Sequence, residues 1–327
     1  MHRPIPLLEL PGQQSFENGV FPLGIDGSET APGGLVAALE FVRAEADGLA
    51  TLLSLHGALL LRGFALGSVD DFDAFVRAFD WPNFRYRDSL SNAVRVNRTE
   101  RVFTANEAPP DVEIFMHHEM AQTPVYPGKL FFFCEKAAER AGATPICRSD
   151  VLWERITLEL PDFAAAAESR GLLYTNVMPD EDDPQSGQGR SWRSTFHATD
   201  RAEAERRMDE LGYAREWRSD GSLVATTPVL PAVRRLDDGR AVFFNQLIAA
   251  FRGWKDSRND PSKAISFGDG APLDVEAVLR VCDIADELAF DISWRDGDVA
   301  LIDNYLVMHG RRPFEGSRRV LASLVAA

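Results

Sequence analysis

The sequence predicts an α+β fold in which an antiparallel sheet core is flanked by helices. Three observations predict it. Short apolar runs closed by glycine or turn residues recur towards both ends of the chain, at 57–64, 129–134 and 299–309. Segments with helical periodicity lie beside them. A polar stretch around 179–222 interrupts the pattern without the composition of a linker, so 1–327 reads as one domain carrying a lid-like insertion.

The elements follow in order. Residues 33–56 form a helix, because Leu35, Leu39, Val42, Ala46 and Leu49 recur near a period of 3.6. Gly57 to Phe64 is a buried strand ended by glycine. Asp70 to Phe79 is a second helix with Phe72, Phe75, Val76 and Phe79 on one face. Lys129 to Cys134 is short and aromatic, which suits a core strand. Residues 149–156 and 162–169 are helical. From Pro179 to Ser194, Asp, Gly, Gln and Ser dominate, which predicts a mobile loop or lid. Thr199 or Asp200 caps a further helix that ends near Gly212. Strand character returns at Leu223 to Val233, Ala241 to Asn245 and Val299 to His309.

Charge and composition exclude several functions. Fifty acidic and 35 basic residues leave a net charge of −15, which repels nucleic-acid backbones and anionic lipid. The expected partner is a small molecule or a limited protein surface, with no nucleic acid and no membrane; the oligomeric state is left open. No run reaches the roughly 18 apolar residues of a membrane span, and Pro4, Pro6 and Pro11 break any secretion signal. Cys134, Cys147 and Cys282 form no C-x-x-C pair and read as reduced, buried thiols of a cytoplasmic protein.

Of the six histidines, His2 lies in a frayed end, His56 at a helix-to-strand corner and His197 beside the lid. His117 and Glu119 are separated by one residue, so in a strand both face one side and could offer a nitrogen and an oxygen to one ion. A second imidazole would complete the two-histidine, one-carboxylate set that leaves positions open on Fe(II). About 0.9 such pairs are expected by chance in this composition, so the spacing alone does not separate a ligand pair from a hydrogen-bonded His-Glu pair. Context adds weight. Asp296-Gly297 is a hairpin-type turn, an apolar strand follows, Asp303-Asn304 turns the chain, and a second apolar run delivers His309 near the core. Nine and ten residues later, Arg318 and Arg319 enter an apolar strand. Alternation sends one of them inward, where it needs an anion: a bound carboxylate, or an internal Asp or Glu.

At these residues the chain resembles the taurine dioxygenase-like family of Fe(II)- and 2-oxoglutarate-dependent oxygenases, and within it the branch acting on amino acids or their derivatives in natural-product pathways. The resemblance runs from Gly57 to Leu324 and is carried by His-His-Glu-Met-Ala at 117–121, Gly-Ala-Thr-Pro-Ile at 142–146, Asp-Gly-Asp-Val-Ala-Leu-Ile-Asp-Asn at 296–304 with His309-Gly310-Arg311, and the Arg318-Arg319 strand. It implies a distorted double-stranded β-helix (jelly roll), with His117, Glu119 and His309 as iron ligands and His118 as a spacer pointing away. It further implies that Thr144 and Arg318 or Arg319, with Arg318 preferred, hold the far carboxylate of 2-oxoglutarate. Asn304 and Arg311 become candidates for supporting these groups, and Asn245 falls where relatives line the pocket, or is a capping amide at a strand end. Glu119 stands where related halogenases carry a small residue, which disfavours halogenation.

The implied reaction uses Fe(II), 2-oxoglutarate and O2 to oxidise a C–H bond of an amino-acid-like substrate, free or tethered to a carrier protein, most simply by hydroxylation with release of succinate and CO2. Desaturation or cyclisation would use the same centre. A metal-binding jelly roll that is not an oxygenase would keep the three ligands without needing the arginine. Arg85, Arg95, Arg98 and Arg101 read as a solvated basic edge, or as a cluster around an anion.

Overall fold

The computed structural model describes residues 5–16, 19–91, 93, 95–105, 107–183, 186, 189–254, 258 and 263–327. His2 and residues 184–185 and 187–188 of the expected loop lie outside them.

The chain starts with β1 (Leu7–Leu8) and β2 (Leu23–Asp26), then the long helix α1 (Gly34–His56). Ala38, Val42, Leu49 and Leu53 of α1 are buried, and Gly57 closes it at φ +78°, donating its N–H to Leu53. β3 (Ala58–Arg62) follows, then α2 (Val69–Arg77). The Ser68 hydroxyl caps α2 by accepting from Asp71 N, and Asp70, Asp71 and Arg77 complement its dipole. Next come β4 (Phe103–Thr104), β5 (Ile114–His117), β6 (Lys129–Lys136) and β7 (Thr144–Arg148), then α3 (Ser149–Glu159), α4 (Pro161–Arg170) and β8 (Leu172–Met178). The 179–222 stretch contributes α5 (Trp192–Phe196), α6 (Arg201–Leu211) and β9 (Ala214–Trp217) before β10 (Leu223–Thr226). Asp200, rather than Thr199, caps α6, and Gly212 ends it at φ +75°. The last part holds α7 (Leu247–Gly253), β11 (Ile265–Phe267), α8 (Val275–Glu287), β12 (Phe290–Ile292), β13 (Val299–Asp303), β14 (Val307–Arg311) and β15 (Arg319–Val325).

Two sheets make the sandwich. The larger runs β1-β2-β3-β13-β6-β15-β4 and the smaller β12-β7-β14-β5. Period-two alternation sorts their side chains. Leu60, Phe132, Ala300, Ile302 and Ala322 of the larger sheet meet Ile146, Ile292 and Val307 of the smaller in one apolar layer. Leu59, Leu61, Phe131, Phe133, Val299 and Leu301 face the other way, onto α1 and α2. Behind the smaller sheet, Cys147 and Met308 pack with residues of α3, α7 and α8. The fold is therefore α+β with a distorted jelly-roll core and helices on both outer faces. One ladder departs from the antiparallel expectation: β2 runs parallel to β3.

The helix expected after Asp200 forms, and the loop expected over Pro179 to Ser194 gives way to α5 at Trp192. Trp192, Phe196, Ala204, Met208 and Tyr213 are buried together with Leu223 and Ala225. They are spaced among charged residues, so the composition conceals a small apolar face. β9 and β10 join β8 and β11 in a separate sheet. The strand expected over Leu223 to Val233 stops at Thr226 because Pro228 and Pro231 cannot continue a ladder. Among the described residues, no helix is long and apolar enough to cross a membrane.

Candidate metal centre

His309 lies on the inner face of β14, directly opposite His117 of β5 and Ile146 of β7 in the smaller sheet. Their parity explains this: Met116 and Met308, one residue away from each, face the outer apolar cluster. The imidazole centroids are 4.5 Å apart. Glu119 is placed differently from the strand argument, because β5 ends at His117. Its backbone is held instead by the Asn304 side chain: Asn304 Oδ1 accepts from Glu119 N at 2.8 Å, and Nδ2 donates to Glu119 O at 3.0 Å and to Pro127 O at 2.7 Å. One ligand atom from each of His117, Glu119 and His309 then lies within 4.8 Å of the others.

The electrostatics suit a cation. Burial and the neighbouring His309 hold His117 down to about 4, so the ring is neutral. Its Nδ1 lies 2.8 Å from Phe115 O and donates to it, which leaves Nε2 with a lone pair. Burial would raise Glu119, but the Arg95 guanidinium and His309 outweigh it and hold the carboxyl well below the usual range. Glu119 Oε2 faces His309 Nε2 at 3.5 Å and has no hydrogen-bond partner among the described residues. A buried anionic oxygen without a donor, beside the neutral His117 ring and the His309 imidazole, is a donor set that fits a divalent transition metal. His118 points away, as expected of the spacer. Its Nδ1 bonds Asn304 O at 2.5 Å, its Nε2 bonds Ser149 Oγ at 2.6 Å, and burial keeps it neutral, down to about 3.

The cavity that carries the triad is also lined by Thr144, Arg311 and Arg318. Arg318 continues the inward parity of Val320 and Ala322, whereas Arg319 shares the outward parity of Leu321. Arg319 is accordingly half exposed and pairs with Glu135 at 2.6 Å, so it does not reach the cavity. Arg318 donates to Gly142 O at 2.9 Å and to Thr144 Oγ1 at 3.2 Å. Among the described residues no carboxylate pairs with it, and burial, then Arg311, pull it down to about 10. Trp294 Nε1 also donates to Thr144 Oγ1, at 2.9 Å. Both lone pairs of that hydroxyl are thus engaged, and its hydrogen is left to donate into the cavity.

The remaining candidates divide. Arg311 donates to Ala108 O, Pro109 O and Val112 O, fastening the 108–112 segment over β14. Asn245 is not at this cavity. It is a capping amide: Oδ1 accepts from Leu247 N at the start of α7 and Nδ2 donates to Ala232 O. Sequence reasoning missed Trp294, whose signal was its place just before the Asp296-Gly297 turn. Arg95, read from the sequence only as part of a solvated basic edge or an anion cluster, leaves the surface to donate to Glu119 Oε1 at 2.8 Å. Arg85, by contrast, stays on the surface with Asp88.

Residues 26–324 match the family model described as taurine catabolism dioxygenase TauD, TfdA family. The chain is 42% identical over 320 residues to a clavaminate synthase-like protein of Arabidopsis thaliana, covering 96% of each. It is 30% identical over 294 residues to the dapdiamide synthesis protein DdaC of Enterobacter agglomerans, covering 84% of this chain and 83% of that one. Among solved structures, PvcB from Pseudomonas aeruginosa is similar with a TM-score of 0.56 and 15% identity, over 100% of this chain and 92% of that one. An asparagine oxygenase solved with Fe(II), 2S,3S-3-hydroxyasparagine and succinate is similar with a TM-score of 0.52 and 14% identity, over 89% of this chain and 83% of that one. At those identities the two structures speak to the fold.

Proposed function

The chain belongs to the TauD, TfdA family of non-haem Fe(II)- and 2-oxoglutarate-dependent dioxygenases, and on that premise we propose that it oxidises a C–H bond of a small amino-acid-like molecule, free or presented on a carrier protein. In this reading His117, Glu119 and His309 hold the iron, while Arg318 and Thr144 hold the far carboxylate of 2-oxoglutarate. Once bound, iron, 2-oxoglutarate and O2 supply the oxidising chemistry, with succinate and CO2 as co-products.

The observation that carries the reading is Arg318, a half-buried guanidinium that no described carboxylate neutralises, in one cavity with the triad. An arginine in that state is poised for a ligand carboxylate, which it can grip with two hydrogen bonds. Thr144, already saturated as an acceptor by Trp294 and Arg318, adds a directed donor. Fixing the far end of the keto acid in this way orients its other end towards the triad. A jelly roll that merely binds metal would have no use for this second anchor. The relative named for dapdiamide synthesis supports a place in small-molecule biosynthesis. Hydroxylation is the simplest outcome; desaturation or cyclisation would need the same anchors.

One anaerobic titration tests the reading. Adding Fe(II) and then 2-oxoglutarate should produce a visible metal-to-ligand charge-transfer band. His309→Ala should abolish it, and Arg318→Met should shift its 2-oxoglutarate midpoint by roughly tenfold or more, the worth of a charge-assisted pair. A wild-type protein without the band, or a band unchanged in His309→Ala, overturns the proposal.

A further inference from the structure

Arg95 is a group that the proposed roles leave half used. It lies on the irregular segment between Tyr86 and β4, and its side chain is only 6% exposed. Nη2 donates to Glu119 Oε1 at 2.8 Å. The guanidinium rests 4.7 Å from the Tyr86 ring centroid and 5.4 Å from that of Phe103. Nε and Nη1 are buried and have no hydrogen-bond partner among the described residues. Two such donors left without an acceptor are costly and uncommon in a folded interior.

The position of Arg95 indicates what the acceptor is. It lines the triad cavity and also a neighbouring cavity of about 270 Å³, whose walls include Arg87, Arg190, Asp182 and His197. In a chain of net charge −15, the lining of this second cavity has three guanidiniums, with Arg87 also 3.7 Å from Asp88, and one carboxylate. That carboxylate is engaged: Asp182 Oδ1 accepts from Ser191 N at 2.7 Å. Arg190 donates to the backbone carbonyls of Ser89 and Ser91, which do not cancel its charge. The charge count agrees. With a dication on the triad and a 2-oxoglutarate dianion across Arg318, Glu119 and the cavity's three arginines leave two positive charges over; Arg311 gives its Nη donors to the 108–112 carbonyls, whereas Arg95 keeps Nε and Nη1 without an acceptor among the described residues.

We infer that Arg95 is the anchor for a free carboxylate of the substrate, which reaches its buried Nε and Nη1 from the outer cavity while Nη2 keeps hold of Glu119. This rests on the oxygenase reading above and narrows its substrate class to molecules with an unesterified carboxylate. A substrate tethered to a carrier through its only carboxyl is thereby excluded, since a thioester carries no charge for the guanidinium to meet. Arg95 then ties substrate position to the iron ligand through one rigid planar group.

The test uses the full chain, loaded anaerobically with Fe(II) and 2-oxoglutarate, with the charge-transfer band as the control for loading. Calorimetry reads the binding of proteinogenic L-amino acids, their N-acetyl derivatives and the matching α-carboxamides. The expected result is an acid whose α-carboxamide binds roughly tenfold more weakly or worse to the wild type. Arg95→Lys should weaken that acid, and Arg95→Gln should bring acid and amide to equal affinity. Equal binding of acid and amide to the wild type, no binding acid in the panel, or discrimination retained in Arg95→Gln overturns the inference. If a variant fails to fold, the wild-type comparison decides alone. A missing charge-transfer band instead overturns the oxygenase reading, so the two failures are distinguishable.

Discussion

At the scale of single residues, the site depends on groups whose chemistry is set by burial. Asn304 is fully buried and satisfies both backbone groups of Glu119. Asn304→Ala should leave those groups and Pro127 O without partners, lowering stability by about 2–3 kcal/mol. It should also weaken metal binding by roughly tenfold to a hundredfold, as loss of a supporting partner does. Urea denaturation and Co(II) titration measure the two effects, and an unchanged metal affinity would remove Asn304 from the site. The cysteines respond to burial in the same way. It pushes Cys134 up to about 12 and Cys282 up to about 11, and raises Cys147 further. At pH 8 all three are therefore thiols rather than thiolates, the less reactive form. Iodoacetamide should leave the native protein unlabelled over the time in which it labels the urea-unfolded chain at three positions.

At the scale of elements, strand parity decides which side chains act. Arg318 and Arg319 are neighbours, yet the alternation of β15 gives one to the cavity and the other to Glu135 at the surface. Arg319→Ala should therefore change stability by about 1 kcal/mol or less, the usual worth of an exposed ion pair. It should leave the 2-oxoglutarate midpoint where it is, in contrast to Arg318→Met. A shift of that midpoint in Arg319→Ala would mean that β15 pairs in another register. Parity was partly legible beforehand: Val320, Ala322 and Leu324 form an apolar row that Arg318 extends by two residues. The same rule was misleading at Glu119, because β5 ends at His117, two residues short of it.

At the scale of the whole molecule, the triad exists only when the sandwich is closed. Glu119 and His309 are 190 residues apart, and no local element brings them together. The metal should therefore bind the folded state alone and raise its melting temperature by mass action. The gain is about 2.7 kcal/mol at one hundred times the dissociation constant. Differential scanning fluorimetry with increasing Fe(II) under argon should show a rising Tm for the wild type and a flat one for His309→Ala. Equal rises in both would indicate adventitious binding elsewhere.

The sequence by itself determined the helices α1 and α2, the core strands β3, β6 and β13, the family resemblance and the identity of the candidate ligands. Periodicity and short motifs are local properties, and a local pattern survives without knowledge of neighbours. Only the tertiary structure decided what depends on contacts between distant segments. It placed Arg318 at the cavity and Arg319 at the surface, hung Glu119 on Asn304, turned Thr144 into a donor through Trp294 and put Asn245 at a helix start. It also buried Arg95 against Glu119, although the residues around Arg95 show neither period. The physical reason is the same in each case: the free energy of a buried polar group is set by the partner that meets it, and that partner lies far away along the chain.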